Sequence, residues 1–229
     1  DGAFTPDGSR VLTWTENGSG QVWRLEPRAA LVSFGPHGAT RASVYVSPDG
    51  QRAATTGSDT NVRVWDLGTG KEIAPPLPHP DTVSALGWTD AGDLLITGAQ
   101  DGNARVWDVE TGHQRGPSLH HGSRVAETIV VGASGYLVTL GEGQPARLWN
   151  LRSGAFVRAV QPGSGYYGQS RVGRWAHGTL ILLAGNESRV LDPATGLPLS
   201  DRVQADWLIP EAPAVSHHVD LLRASIRGE

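Results

Sequence analysis

Val62-Arg63-Val64-Trp65-Asp66, Ala104-Arg105-Val106-Trp107-Asp108 and Ala146-Arg147-Leu148-Trp149-Asn150 are one short apolar stretch written three times, 42 residues apart. One step back lies Gly20-Gln21-Val22-Trp23, and one step forward lies Arg189-Val190-Leu191-Asp192, where the tryptophan has been lost. A fixed period of about 40–45 residues means repeated supersecondary units that hide their apolar faces by stacking on one another.

Each unit has the same internal order. An apolar stretch such as Val83-Ser84-Ala85-Leu86-Gly87-Trp88 is followed by a turn, Thr5-Pro6-Asp7-Gly8, Ser47-Pro48-Asp49-Gly50 or Thr89-Asp90-Ala91-Gly92. Proline presets one turn dihedral and glycine supplies another. A second strand, Asp93 to Gly98, meets a tight turn at Gln100-Asp101-Gly102-Asn103 before the third strand ends in Trp107. A further glycine turn, Val109-Glu110-Thr111-Gly112, leads to a fourth and more polar strand. Four short strands joined by tight turns make an antiparallel meander, and many copies of such a sheet make a β-propeller.

The pattern resembles the WD40-repeat family over residues 1–203. Trp65-Asp66 and Trp107-Asp108 match the family's dipeptide, and Trp149-Asn150 and Trp23-Arg24 are weakened forms of it. His37, His79 and His121 stand 28 residues before three of the tryptophans. Thr13, Thr55, Thr97 and Thr139 stand ten before, and Asn17, Asp59 and Asp101 six before. The resemblance implies a structural tetrad in which Trp, Thr, His and Asp hydrogen-bond in series. An indole N–H, a hydroxyl, an imidazole and a carboxylate can each satisfy the next. Two complete tetrads are expected, His37-Thr55-Asp59-Trp65 and His79-Thr97-Asp101-Trp107. The next unit has His121, Thr139 and Trp149, with Gly143 in the acidic position. The following one has Gly163, Ile181, Gly185 and Leu191, and so no polar network.

The fold expected is all-β: an incomplete propeller of five four-stranded blades over 1–203, the first truncated. Family propellers most often have seven blades, roughly 290 residues at this period. The missing blades are expected from the parent polypeptide or a second chain, because the sequence has no methionine and opens inside a repeat. Residues 204–229 are expected to form an extension with a short helix, since Val215, Val219, Leu222 and Ile226 share one helical face.

Composition narrows the function. A net charge of -4 with interspersed signs gives no basic groove for nucleic acid and no patch for an anionic membrane. Zero cysteines exclude disulfides and thiolate metal sites. A single lysine, Lys71, against 18 arginines suggests a GC-rich bacterial genome, and a cytoplasmic location is the expectation.

The histidines invite a metal reading, but the period of His37, His79 and His121 follows the tryptophans and points into the blades. His120 is adjacent to His121 and points away from it. Gly163-Ser164-Gly165-Tyr166-Tyr167-Gly168 satisfies G-x-G-x-x-G, yet strands follow it where a dinucleotide site needs a helix. Gly68-Thr69-Gly70-Lys71 lacks the first glycine of a phosphate loop. No nucleophile or zincin motif occurs. No metal, cofactor or catalysis is therefore expected. The rival reading is metal-assisted hydrolysis in the central pocket, and a third is a purely architectural platform.

The surface remains. The resemblance implies that loops entering first strands and loops between second and third strands share one face that receives peptide or protein partners. At the first-strand mouths lie Thr40, Thr82, Arg124 and Tyr166, with Tyr167 beside it. Just before the acidic positions lie Glu16, Ser58, Gln100 and Glu142. These nine residues are the expected partner-binding face of a scaffold or sensor module. Aromatic and Arg side chains favour that use.

Overall fold

The computed structural model describes residues 2–16, 19–25, 27–35, 43–131, 135–160, 171–174, 180–184, 187–191 and 203–204. They form twenty strands in five four-stranded antiparallel sheets, each a meander in chain order. Blade 1 holds β1 (Gly2–Phe4), β2 (Arg10–Trp14), β3 (Gly20–Arg24) and β4 (Ala29–Phe34). Blade 2 holds β5 (Ser43–Val46), β6 (Arg52–Thr56), β7 (Asn61–Asp66) and β8 (Leu77–Pro78). Blade 3 holds β9 (Val83–Trp88), β10 (Leu94–Ala99), β11 (Asn103–Asp108) and β12 (Leu119–His120). Blade 4 holds β13 (Val125–Val131), β14 (Tyr136–Gly141), β15 (Ala146–Asn150) and β16 (Phe156–Val160). Blade 5 holds β17 (Arg171–Arg174), β18 (Leu180–Ala184), β19 (Glu187–Leu191) and β20 (Val203–Gln204). The chain is thus all-β among the described residues, an incomplete propeller. The truncation expected of blade 1 amounts to a short first strand and not a missing one. The helix expected after residue 204 lies outside the described residues.

The first turn of each unit explains its own recurrence. Gly8, Gly50 and Gly92 donate their N–H groups to the carbonyls of Thr5, Ser47 and Thr89 at 2.8–2.9 Å. All three glycines have φ of 68–69°, a left-handed conformation that costs a residue with a Cβ about 1 kcal/mol or more. Thr5 and Ser47 donate their hydroxyls to Asp7 and Asp49 two residues on.

Fourth strands vary for a local reason. β8 and β12 are two residues long, whereas β4 has six and β16 five. Pro75, Pro76 and Pro117 precede the short ones. Proline has no N–H for a ladder. Isolated bridges, Trp65 with Glu72 and Trp107 with Gln114, hold those segments in place.

Blades stack through two kinds of face. Leu12, Val22 and Phe34 of blade 1 pack on Ala53, Trp65 and Leu67 of blade 2. Ala54, Val64 and Leu77 of blade 2 pack on Leu95, Trp107 and Val109 of blade 3. Ile96, Val106 and Leu119 of blade 3 pack on Leu137, Trp149 and Leu151 of blade 4. Trp65, Trp107 and Trp149 therefore each face the preceding blade. Strand β10 is buried on both sides along its whole length, so it reads as a continuous apolar run without alternation. Among the described residues no blade covers the matching face of blade 1, carried by Val11, Trp23 and Leu25. Leu25 is 40% exposed, where Leu67 is 1% and Val109 0%.

Candidate functional site

The candidate site is the edge where first strands begin, next to the polar chains inside the blades. Trp23, Trp65, Trp107 and Trp149 each donate their indole N–H to Thr13, Thr55, Thr97 and Thr139 at 2.9 Å. In blade 1 this bond is exposed; in blades 2–4 it is buried. Strand pairing accounts for the regularity, because β2–β3, β6–β7, β10–β11 and β14–β15 share one register.

In blade 3 the chain continues to His79. Its Nε2 lies 2.7 Å from Thr97 Oγ1 and its Nδ1 3.0 Å from the Leu77 carbonyl. A carbonyl only accepts, so Nδ1 carries the proton. Nε2 then accepts from the Thr97 hydroxyl, whose oxygen accepts from Trp107. Burial holds the His79 pKa down at about 4, so the ring is neutral.

Asp101 is not the next link. It accepts from Arg105 at 2.5 and 3.3 Å and from the Asn103 N–H at 3.0 Å. The tetrad expected for blade 3 is corrected on this point: both imidazole nitrogens are already engaged, and a guanidinium fork is the stronger partner for a carboxylate. Arg105 is buried, and its pair with Asp101 closes the β10–β11 turn. Desolvation raises the Asp101 pKa, but the hydrogen bonds from Arg105 and Asn103 outweigh it and hold the carboxyl below its ordinary value. In blade 2, Asp59 likewise takes the Asn61 N–H at 3.3 Å and pairs with Arg63 at 3.4 Å. His37 lies outside the described residues.

Blade 4 keeps three members and changes the end. His121 is fully buried and meets Thr139 Oγ1 through Nδ1, at 2.9 Å. Its Nε2 is buried without a hydrogen-bond partner among the described residues, as is Ser123 Oγ. The ring occupies space that Gly141 leaves free: a Cβ there would lie 2.0 Å from the imidazole Cδ2 and 2.1 Å from Nε2. Blade 3 has Ala99 at the corresponding position. Burial, with help from the Arg147 and His120 charges, brings the His121 pKa down to about 4.

The expected face residues fall into neighbouring pairs. The Gln100 N–H donates to the Thr82 carbonyl at 2.9 Å, and the Glu142 N–H donates to the Arg124 carbonyl at 3.1 Å. Arg124 and Glu142 also face each other at 3.9 Å, both well exposed. Ser58 and Glu16 are exposed at the corresponding turns. Thr40, Tyr166 and Tyr167 lie outside the described residues. Among the described residues no three His, Asp or Glu side chains gather as metal ligands would.

Sequence reasoning passed over Arg63, Arg105 and Arg147, which stand two residues before their tryptophans and recur with the same period. That periodicity was the available signal. It also passed over Gly141, whose role lies in the Cβ it lacks.

Residues 30–66 and 72–108 match the family model described as WD domain, G-beta repeat. No curated protein matches the chain. Among solved structures, the crystal structure of the computationally designed Ika8 protein is similar at a TM-score of 0.69 and 20% identity. The alignment covers 84% of this chain and 58% of that one, so this chain spans less than two thirds of that structure's length. At such identity the likeness concerns the fold.

Proposed function

From the premise that this chain carries WD40 repeats, we propose that it is a non-catalytic protein-interaction module. Repeats of this family generally mediate contacts between proteins and are generally non-catalytic. Partners dock on the edge formed by Thr82, Gln100, Arg124 and Glu142, extended by Ser58 and Glu16. The supporting observation is the pair of loop-to-loop hydrogen bonds, Gln100 to Thr82 and Glu142 to Arg124. They hold two kinds of loop side by side on rigid strands, in two adjacent blades. A preorganised edge of this kind lowers the ordering cost of binding. The setting is a scaffold or sensor function in a larger bacterial, cytoplasmic polypeptide.

Photo-crosslinking groups at positions 100 and 142, against controls at Thr69 and Thr111 in the turns after β7 and β11, test the reading. Partner protein should be captured from 100 and 142 alone. Capture mainly from 69 and 111 would assign the function to another surface.

The uncovered face of Val11, Trp23 and Leu25 takes a further blade of the same repeat, supplied by the same polypeptide. The repeat itself supports this, since the equivalent residues of blades 2–4 are each covered by apolar side chains of the preceding blade. Light scattering on the 229-residue chain should show association through this face, relieved by Leu25→Glu. A monomer with a sharp melt would refute it.

A further inference from the structure

Blades 2 and 3 each neutralise the arginine of the third strand with an acid four residues earlier, Asp59 for Arg63 and Asp101 for Arg105. Blade 4 retains the cation, Arg147, and has Gly143 where the acid belongs. Among the described residues Arg147 has no carboxylate partner. Its Nη1 donates to the His120 carbonyl at 2.6 Å, and its guanidinium lies 5.9 Å from the Phe156 ring centroid. Its Nη2 lies 3.9 Å from where a Cβ on Gly122 would stand. Nothing lies within 4 Å of a Cβ placed on Gly143. Two buried polar atoms without hydrogen-bond partners among the described residues, His121 Nε2 and Ser123 Oγ, converge on Gly141 next to the same turn.

We propose that this vacancy in blade 4 binds a carboxylate carried by a protein partner, which pairs with Arg147 in place of the acid that blade 3 supplies from its own turn. The proposal rests on the docking edge above and names the chemistry of its occupant. A guanidinium held by a backbone carbonyl presents its remaining N–H groups in fixed geometry, which suits a planar carboxylate. Arg124 lies at the same mouth, and its long contact with Glu142 leaves it available to the incoming charge. Glu142 is the opposing group. It repels an acid until it turns outward, and at 73% side-chain exposure it is free to do so.

The test uses the 229-residue chain and a fluorescein-labelled hexa-aspartate peptide with a C-terminal amide, followed by anisotropy at low ionic strength, with a melt of every variant to confirm folding. The peptide should bind, and added salt should weaken it. Arg147→Gln should weaken binding about tenfold or more, with Arg147→Lys in between. Gly143→Asp should abolish binding by supplying an internal carboxylate at the i,i+4 offset of Asp101 and Arg105. Gly143→Asn, with the same backbone demand and no charge, should bind as the parent does. Glu142→Gln should bind more tightly. A neutral peptide with a free C-terminus separates the two sources of carboxylate; binding of either peptide through Arg147 supports the proposal. Failure of both to bind, or binding indifferent to Arg147→Gln and Gly143→Asp, overturns it. If basic or aromatic peptides crosslink through positions 100 and 142 while hexa-aspartate does not bind, the carboxylate site is wrong and the docking edge stands.

Discussion

Blades 3 and 4 share register, tryptophan, threonine and histidine, yet they finish their polar chains differently. In blade 3 every donor and acceptor from Trp107 to Leu77 is matched, and Asp101 neutralises a buried Arg105. In blade 4, two changes, Ala99 to Gly141 and Asp101 to Gly143, alter the outcome. The missing Cβ at Gly141 admits the His121 ring, which presents Nδ1 to threonine where His79 presents Nε2. The missing acid leaves Arg147 to a carbonyl and an aromatic ring. A repeat can thus keep its packing and still convert a closed network into an open one by losing two small groups. Closed networks specify structure; open ones leave polar groups unmatched.

The largest expected effect probes what the blades share. Trp107→Ala and Trp149→Ala remove equally buried indoles from the same hydrogen bond, and each should cost about 3–5 kcal/mol in chemical denaturation. Losses differing by more than about 2 kcal/mol would break the premise that the inner links are equivalent.

Next come the arginines. Asp101→Asn strands a guanidinium whose side chain is only 8% exposed, and about 3 kcal/mol should be lost. Arg147→Gln breaks no ion pair and should cost within about 1 kcal/mol. Equal costs would erase the distinction between the blades.

Acid should unfold both blades in the same range. His79 and His121 are neutral when folded, with pKa values of about 4 set chiefly by burial, and the unfolded ring protonates near its ordinary value of 6.5. The unfolded state therefore binds more protons between those values. Stability is complete above pH 6.5 and falls toward pH 4, by at most about 1.4 kcal/mol per pH unit for each histidine. Replacing either by Gln should remove one proton from that slope, as urea midpoints against pH will show. An unchanged slope would mean that the ring is solvated.

Smaller effects sharpen the contrast. Gly141→Ala drives a Cβ into the His121 ring and should cost about 1–3 kcal/mol, while Ala99→Gly at the matching position of blade 3 tests whether room alone lets a ring shift. Gly143→Asp restores the acid that the blade 4 turn lacks. Its φ of 67° sets a strain of about 1 kcal/mol against the gain of an ion pair with Arg147, so the net should be near zero. In blades 2 and 3 the left-handed residue is one place later, at Thr60 and Gly102, which frees their acids from that strain.

The sequence made the blade order, the turns and the Trp–Thr–His links legible because each rests on residue type at a fixed offset. Period and parity were enough to place Trp107 against Thr97 and to put Thr82 beside Gln100. The partner of Asp101 was not legible from period alone. The choice between imidazole and guanidinium depends on whether Leu77 presents its carbonyl to Nδ1, a matter of backbone direction at a proline-rich short strand. The orientation of His121 was hidden for a similar reason, since it follows from an absent methyl group on a neighbouring strand.

The ring orientations supply the most direct test, through the histidine tautomers. Two-bond 1H–15N spectra of histidine-labelled protein at pH 7 distinguish Nδ1–H from Nε2–H. His79 should be the Nδ1–H tautomer, donating to Leu77. His121 should be the Nε2–H tautomer if Thr139 repeats the role of Thr97, accepting from the indole and donating its hydroxyl proton to the imidazole nitrogen it meets, here Nδ1. Opposite tautomers for the two rings would bear out a closed chain in blade 3 and an open one in blade 4. The same tautomer at both, or a charged ring at either, would contradict it.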